Sequence, residues 1–171
     1  MFKLSRRGLV ALIVAYVLSI YATLPIARPL LTFIYSHLGR ETLGVVMNVF
    51  LLLFIAGSIF YLCYYSRRSL LRLAMLVLIL SATFLLAMSY EIPEERFHFL
   101  QYGLLGYLIY ALFFNRKKLP EVPALCLVVF IGGGDELVQY FLPNRVGEMR
   151  DVVMNAVGGL SGVAVGSLWK R

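Results

Sequence analysis

The fold class predicted for this chain is all-α, a polytopic transmembrane helical bundle of about six spans with both termini cytoplasmic. Three observations carry that prediction. Of 171 residues, 61% are hydrophobic and mean hydropathy is +0.84, more apolar surface than one soluble domain of this size buries. Six runs approach the roughly 20 apolar residues that cross a bilayer, over 8–24, 43–65, 70–90, 98–114, 121–139 and 151–168. Lys and Arg are distributed unevenly between alternate loops. One side takes Lys3, Arg6, Arg7, Arg67, Arg68, Arg72, Arg116, Lys117, Lys118, Lys170 and Arg171 with Glu121 as its only acid. The other takes Arg28, Arg40, Arg96, Arg145 and Arg150 against Glu41, Glu91, Glu94, Glu95, Asp135, Glu136, Glu148 and Asp151. The positive-inside rule places the first set, and with it both termini, in the cytoplasm.

The first span follows a basic start, M-F-K-L-S-R-R-G, without a small-residue cleavage site, as an uncleaved signal anchor does. After it, 27–40 is too short to span. Leu30, Leu31, Phe33, Ile34 and Leu38 with polar Arg28, Ser36, His37 and Arg40 suit an interfacial helix on the outer face, with an ordinary loop as the alternative. The spans 43–65 and 70–90 are apolar throughout, joined by a short basic loop. Cys63 and Cys126 fall inside spans without paired spacing and are expected to be small buried hydrophobes.

The last three spans differ from the first three. In 98–114, His98, Gln101, Tyr102, Leu105 and Gly106 share a helical face, with Glu94 or Glu95 just above. In 121–139, Asp135 and Gln139 project together while Glu136 points about 100° away. Gly132, Gly133 and Gly134 just before them are expected to kink or interrupt that helix. In 151–168, Asp151, Asn155, Gly158, Gly162 and Gly166 form one stripe, whose glycines admit a close helix neighbour.

These three faces lie at one predicted level, the outer interface, with Arg145 in the loop between the last two spans. Charge there costs about 2.5–3.5 kcal/mol per group, so it needs water, partners or a role. Taken singly the residues have plain explanations. Asp151 favours a helix N-terminus, Arg145 or Arg150 can neutralise Asp135 or Glu136 across a turn at Pro143, and a lone histidine is most often simply satisfied. Together they form a candidate ligand-binding set of Glu95, His98, Tyr102, Asp135, Glu136, Gln139, Arg145, Asp151 and Asn155. Arg145 suits phosphate or carboxylate, and His98, Asp135 and Asp151 are the catalytic candidates as acid or base groups. No cofactor and no metal is expected. A divalent ion on His98, Asp135 and Asp151 is the alternative, against which their spacing matches no compact metal motif.

Other classes are excluded by pattern. The net charge of +7 comes from short clusters flanking apolar spans, which topology and anionic headgroups explain without nucleic acid. No G-x-S-x-G, H-E-x-x-H or P-loop occurs. The pair Glu94 and Glu95 resembles that of some intramembrane proteases, but the arginine and histidine spacings expected around it are missing.

The stretch D-E-L-V-Q-Y-F-L-P-N-R over 135–145, followed by D-V-V-M-N-A-V-G-G over 151–159, resembles the signature of the VanZ-like family. Upstream, E-R-F-H-F-L-Q-Y-G-L-L-G over 95–106 is similar to the family's histidine, tyrosine and glycine block. The chain then reads as a single VanZ-like transmembrane domain over 1–171, with its signature region at about 94–166. Asn144 replaces a frequent glycine and Arg96 a lysine, which bears on the turn and on headgroup contacts. The resemblance implies a multi-pass protein of the bacterial inner membrane associated with reduced susceptibility to teicoplanin; it implies no reaction. Three functions are compatible: an outer-face pocket binding an envelope lipid, a lipid-linked precursor or the lipoglycopeptide itself; an enzyme modifying a lipid or cell-wall precursor headgroup; or a structural partner of another membrane protein, packing in trans through the glycine face. Membrane lipids are the expected partners, and oligomeric state is left open.

Overall fold

The structure is a computed structural model that describes residues 5–65, 70–90, 92, 95–114, 118–143 and 145–170. The expectations placed on Lys3, Arg67, Arg68, Glu91, Glu94, Arg116, Lys117, Asn144 and Arg171, and on the Cys63 and Lys170 side chains, lie outside the described residues. Six helices follow in order: α1 (Arg6–Leu38), α2 (Arg40–Tyr65), α3 (Leu70–Met88), α4 (Arg96–Phe113), α5 (Glu121–Phe141) and α6 (Met149–Lys170). The all-α class holds. Among the described residues four helices, α1, α2 over Arg40–Gly57, α3 and α6 over Met149–Leu168, are long and apolar enough to cross a membrane. The other two expected spans are helices too, but α4 carries Arg96, His98 and Gln101 while α5 carries Glu121, Asp135 and Glu136.

The first helix corrects the expectation of a separate interfacial segment. Ser5 caps its start, Oγ accepting from the Gly8 N–H at 3.1 Å, and it runs unbroken for 33 residues through Pro25 and Pro29. At 1.5 Å per residue this helix is about 50 Å long, against about 30 Å of hydrocarbon. It ends at Gly39, whose φ of 77° is a conformation few other residues take without strain, and α2 begins at the next residue.

The core forms where α6 packs on α4 and α5, its contact with α4 being the most extensive in the molecule. Small residues set that approach. A Cβ on Gly158 would come within 3.0 Å of the Phe99 backbone, and one on Gly162 within 2.7 Å of the Gly103 carbonyl carbon. A Cβ on Gly166 would meet the Tyr110 ring at 2.6 Å. The glycine stripe of α6 is thus spent on α4 of the same chain, and the reading of that face as a contact in trans loses its basis. Around it Tyr102, Leu105, Ile109, Tyr110, Ala124, Val128 and Val163 are buried with Ile13 and Ile20 of α1. A smaller group, Ala87, Phe99 and Met154, ties in α3, as does a hydrogen bond between the Thr83 and Ser161 hydroxyls at 2.7 Å. Cys126, expected to be buried, is exposed on α5, away from the stripe of Ala124, Val128, Gly132, Asp135 and Gln139 that faces the bundle.

Candidate functional site

Helix α5 reaches the site without interruption, which overturns the expected break at its three glycines. Their purpose is space. A Cβ on Gly132 would stand 2.8 Å from Asn155 Cβ and 3.2 Å from a Tyr102 ring carbon, and one on Gly134 would stand 2.5 Å from the Tyr21 hydroxyl. The carbonyls beside them take additional hydrogen bonds: Tyr21 OH donates to Ile131 O at 2.8 Å, and Asn155 Nδ2 to Gly132 O at 3.4 Å. Glycine here admits tyrosine and asparagine to the backbone of a helix that stays intact.

From that helix two carboxylates enter the interior. Asp135 is 1% exposed and Glu136 4%. The expectation that Glu136 turns away from the shared face meets a different packing. Because α5 packs against both α4 and α6, its buried face is wide enough for both acids: Asp135 meets α4, accepting from Tyr102 OH at 2.7 Å, and Glu136 meets α6, accepting from Asn155 Nδ2 at 3.4 Å. Gln139, one turn on, bridges them, its Nε2 at 3.0 Å from Glu136 Oε1 and 3.4 Å from Asp135 Oδ1. The other Glu136 oxygen accepts from the Glu148 N–H at 3.3 Å, tying the loop before α6 to the cluster.

Asn155 organises the opposite wall. Its Nδ2 faces two oxygens that can only accept, Gly132 O and Glu136 Oε1, so its Oδ1 must be the atom 2.8 Å from His98 Nδ1. It follows that Nδ1 carries a proton and donates, so that Nε2 is the ring nitrogen left for another partner. The imidazole also stacks on Tyr102, with ring centroids 6.4 Å apart and planes inclined by 8°. One ligand atom each from His98, Asp135 and Glu136 falls within 4.8 Å of the others.

Six of the nine candidates thus converge: His98, Tyr102, Asp135, Glu136, Gln139 and Asn155, from three helices. The other three stand around them. Arg145 lies within electrostatic reach of Glu136 and Asp151, and its Nε is buried without a hydrogen-bond partner among the described residues. Asp151 occupies the first turn of α6, where the helix dipole favours an acid, 3.9 Å from Arg150 Nε. Glu95 belongs to a separate cluster, where it pairs closely with Arg150. Arg150 also reaches Glu148 at 3.5 Å and therefore neutralises neither Asp135 nor Glu136. Arg96 completes that second cluster, donating to Tyr90 O at 2.9 Å and to Asn48 Oδ1 at 2.7 Å.

Tyr16 and Tyr21 were not identified from sequence. They bring α1 to the site, Tyr16 OH donating to Gln101 O at 3.1 Å and Tyr21 OH to Ile131 O. A tyrosine in a long apolar helix also suits a membrane interface, so its type alone gives no signal. Asn48, the one carboxamide of α2, set in an apolar stretch, was the more legible omission.

With three helices delivering the site at residues 98–102, 132–139 and 155, the comparison with known families can be placed on it. Residues 95–170 match the family described as VanZ/LLP1. This stretch is a VanZ/LLP1 domain. It contains α4, α5 and α6 with every one of the nine candidates, whereas α1–α3 lie before it. The chain is also similar to an uncharacterized protein of Schizosaccharomyces pombe, 32% identical over 101 residues, 57% of this chain. The match covers 62% of that relative's length, less than two thirds. No solved structure matches.

Proposed function

We propose that this VanZ/LLP1 membrane protein binds the polar headgroup of an envelope lipid or lipid-like ligand at the α4–α5–α6 cluster, on the outer face of the membrane. The observation that supports it most is the unpaired, buried Nε of Arg145 beside a cluster of satisfied polar groups. A guanidinium holding a donor out of water without a partner is suited to a phosphate or carboxylate that arrives from outside. The surrounding groups are joined between helices rather than capped locally, which favours a site over three separate helix ends. Altered teicoplanin susceptibility would then follow from occupancy of the outer leaflet, where the acyl tail of that drug inserts.

Native mass spectrometry of the full chain, titrated with an anionic phospholipid, tests this reading. The wild type should retain lipid that the Arg145→Ala variant loses, and in cells any protection should extend to acylated glycopeptides only. Equal lipid retention by both proteins, or equal protection against a glycopeptide without a tail, refutes it. One observation favours a second reading, an enzyme acting on the headgroup: the Asn155 bond leaves His98 Nε2 available as a base. Headgroup turnover by the wild type that stops in Asp135→Asn would establish that reading.

A further inference from the structure

The two carboxylates at the centre of the site have hydrogen bonds but no ion pair among the described residues. Asp135 and Glu136 are almost wholly buried, yet their donors are a phenol, two carboxamides and one backbone N–H, all neutral. Every ion pair among the described residues belongs to Arg150, and none reaches either acid. Arg145, the nearest arginine in electrostatic terms, forms no hydrogen bond through its Nε and no ion pair with them. Carboxylates that stay charged in a protein interior are paired or coordinate metals. A third donor, a His98 ring nitrogen, lies with one oxygen from each acid inside a 4.8 Å triangle.

We propose that His98, Asp135 and Glu136 hold a divalent transition-metal cation. Three donors about 2.0–2.2 Å from one ion stand about 3.3–3.8 Å apart in tetrahedral or trigonal geometry, so a triangle with sides of up to 4.8 Å closes on an ion when they shorten by about 1 Å, within the reach of side-chain torsions. One imidazole with two carboxylates is a donor set for Mn²⁺, Fe²⁺ or Zn²⁺ rather than for the softer ions that take thiolates. The groups behind the donors have the arrangement that metal sites use. Asn155 Oδ1 accepts from His98 Nδ1–H and so sets the tautomer, Tyr102 orients Asp135, and Gln139 and the Glu148 N–H orient Glu136. Glu136 therefore replaces Asp151 in the ligand set that was the alternative from residue type alone. Beside the ion, Arg145 is left to meet the same phosphate that the ion attracts. This role for the ion rests on the headgroup reading above; the location of the ion does not.

The test uses the full chain in phosphatidylcholine nanodiscs, stripped with EDTA and titrated with Mn²⁺ alone under electron paramagnetic resonance. Expected are a single bound Mn²⁺ per chain, displaced by Zn²⁺, and an electron spin-echo modulation from a directly bonded imidazole nitrogen. Asp135→Asn, Glu136→Gln and His98→Gln should each weaken Mn²⁺ at least about tenfold, and Asn155→Ala about 10–100-fold, the range for groups that support a ligand. Arg150→Ala should leave it unchanged. No stoichiometric Mn²⁺, or bound Mn²⁺ without nitrogen modulation, overturns the site; the wild-type echo decides this even where a variant does not fold. Phosphatidic acid is then titrated with and without Mn²⁺. Lipid retention that needs the ion supports the bridging role. Retention unaffected by EDTA overturns that role and leaves headgroup binding intact, whereas bound Mn²⁺ with no lipid retention in either state refutes headgroup binding and leaves the cation site standing.

Discussion

Helices α2 and α4 are both rich in apolar residues, and their surroundings differ completely. Val45, Phe50 and Leu53 of α2 are each more than 60% exposed, whereas Tyr102, Leu105 and Ile109 of α4 are fully buried. An outer helix gains almost nothing from orienting its leucines, because lipid tails are as apolar as they are. It needs only to be long and uncharged. An inner helix must offer small residues where a neighbour's backbone passes and polar groups where the neighbour has their complement. The first requirement tolerates nearly any apolar substitution. The second constrains position by position, and the helices it applies to, α4–α6, are those within the family match over 95–170.

The strongest way to break this contrast is to place the same bulk in both regions. Gly162→Leu drives a side chain into the Gly103 carbonyl and the Tyr107 backbone, whereas Gly57 has nothing within 4 Å of its would-be Cβ. The expected penalty at Gly162 exceeds the ~1–3 kcal/mol of ordinary overpacking, because backbone rather than a flexible side chain obstructs. The α4–α6 contact should fail and the protein should aggregate on extraction. Gly57→Leu should extract and melt like the wild type. Equal behaviour of the two variants in detergent melting would remove the distinction between inner and outer helices.

A finer comparison uses two tyrosine hydroxyls. Tyr102→Phe removes the donor to a buried carboxylate and should cost about 1.5–3 kcal/mol, the range for hydrogen bonds to charged groups. Tyr16→Phe removes a donor to a half-buried backbone carbonyl and should cost about 0.5–1.5 kcal/mol. Urea or sodium dodecyl sulfate titration of both variants gives the order, and a reversed order would mean that Asp135 does not depend on Tyr102. The smallest effect is expected at Arg150→Ala. Its side chain is 48% exposed, so solvent screening reduces the pair with Glu95 to about 0–1 kcal/mol. A loss comparable to that of Tyr102→Phe would place the second polar cluster on a level with the first.

Much of the site was legible because the residue types conflict with their setting. Asp135, Gln139 and Asn155 within apolar helices require partners wherever they point, and their helical spacing puts them on inward faces. Glu136 was harder: a single-helix projection allots one direction per residue, while a helix packed on two sides has a buried arc broad enough for neighbours in sequence. Glu95 and Arg150 gave the opposite error. Each was available for the central cluster by charge and level, and they satisfy each other instead because both stand at helix N-termini that the α4–α6 crossing brings together.

Composition, spacing and the charge pattern by themselves determined that this is an all-α membrane protein, which faces of its last three helices turn inward, and which family its C-terminal half resembles. These follow from local rules: hydropathy per span, a 3.6-residue period, and the cost of charge in hydrocarbon. Tertiary structure alone decided that Pro25 and Pro29 leave α1 whole, that the glycines before Asp135 admit neighbours rather than break a helix, and that Asn155 sets the proton on His98. Each of those depends on what stands opposite a residue in space. A glycine read alone is a weak point in a helix; read with Tyr21, Tyr102 and Asn155 against it, it is the space the site requires.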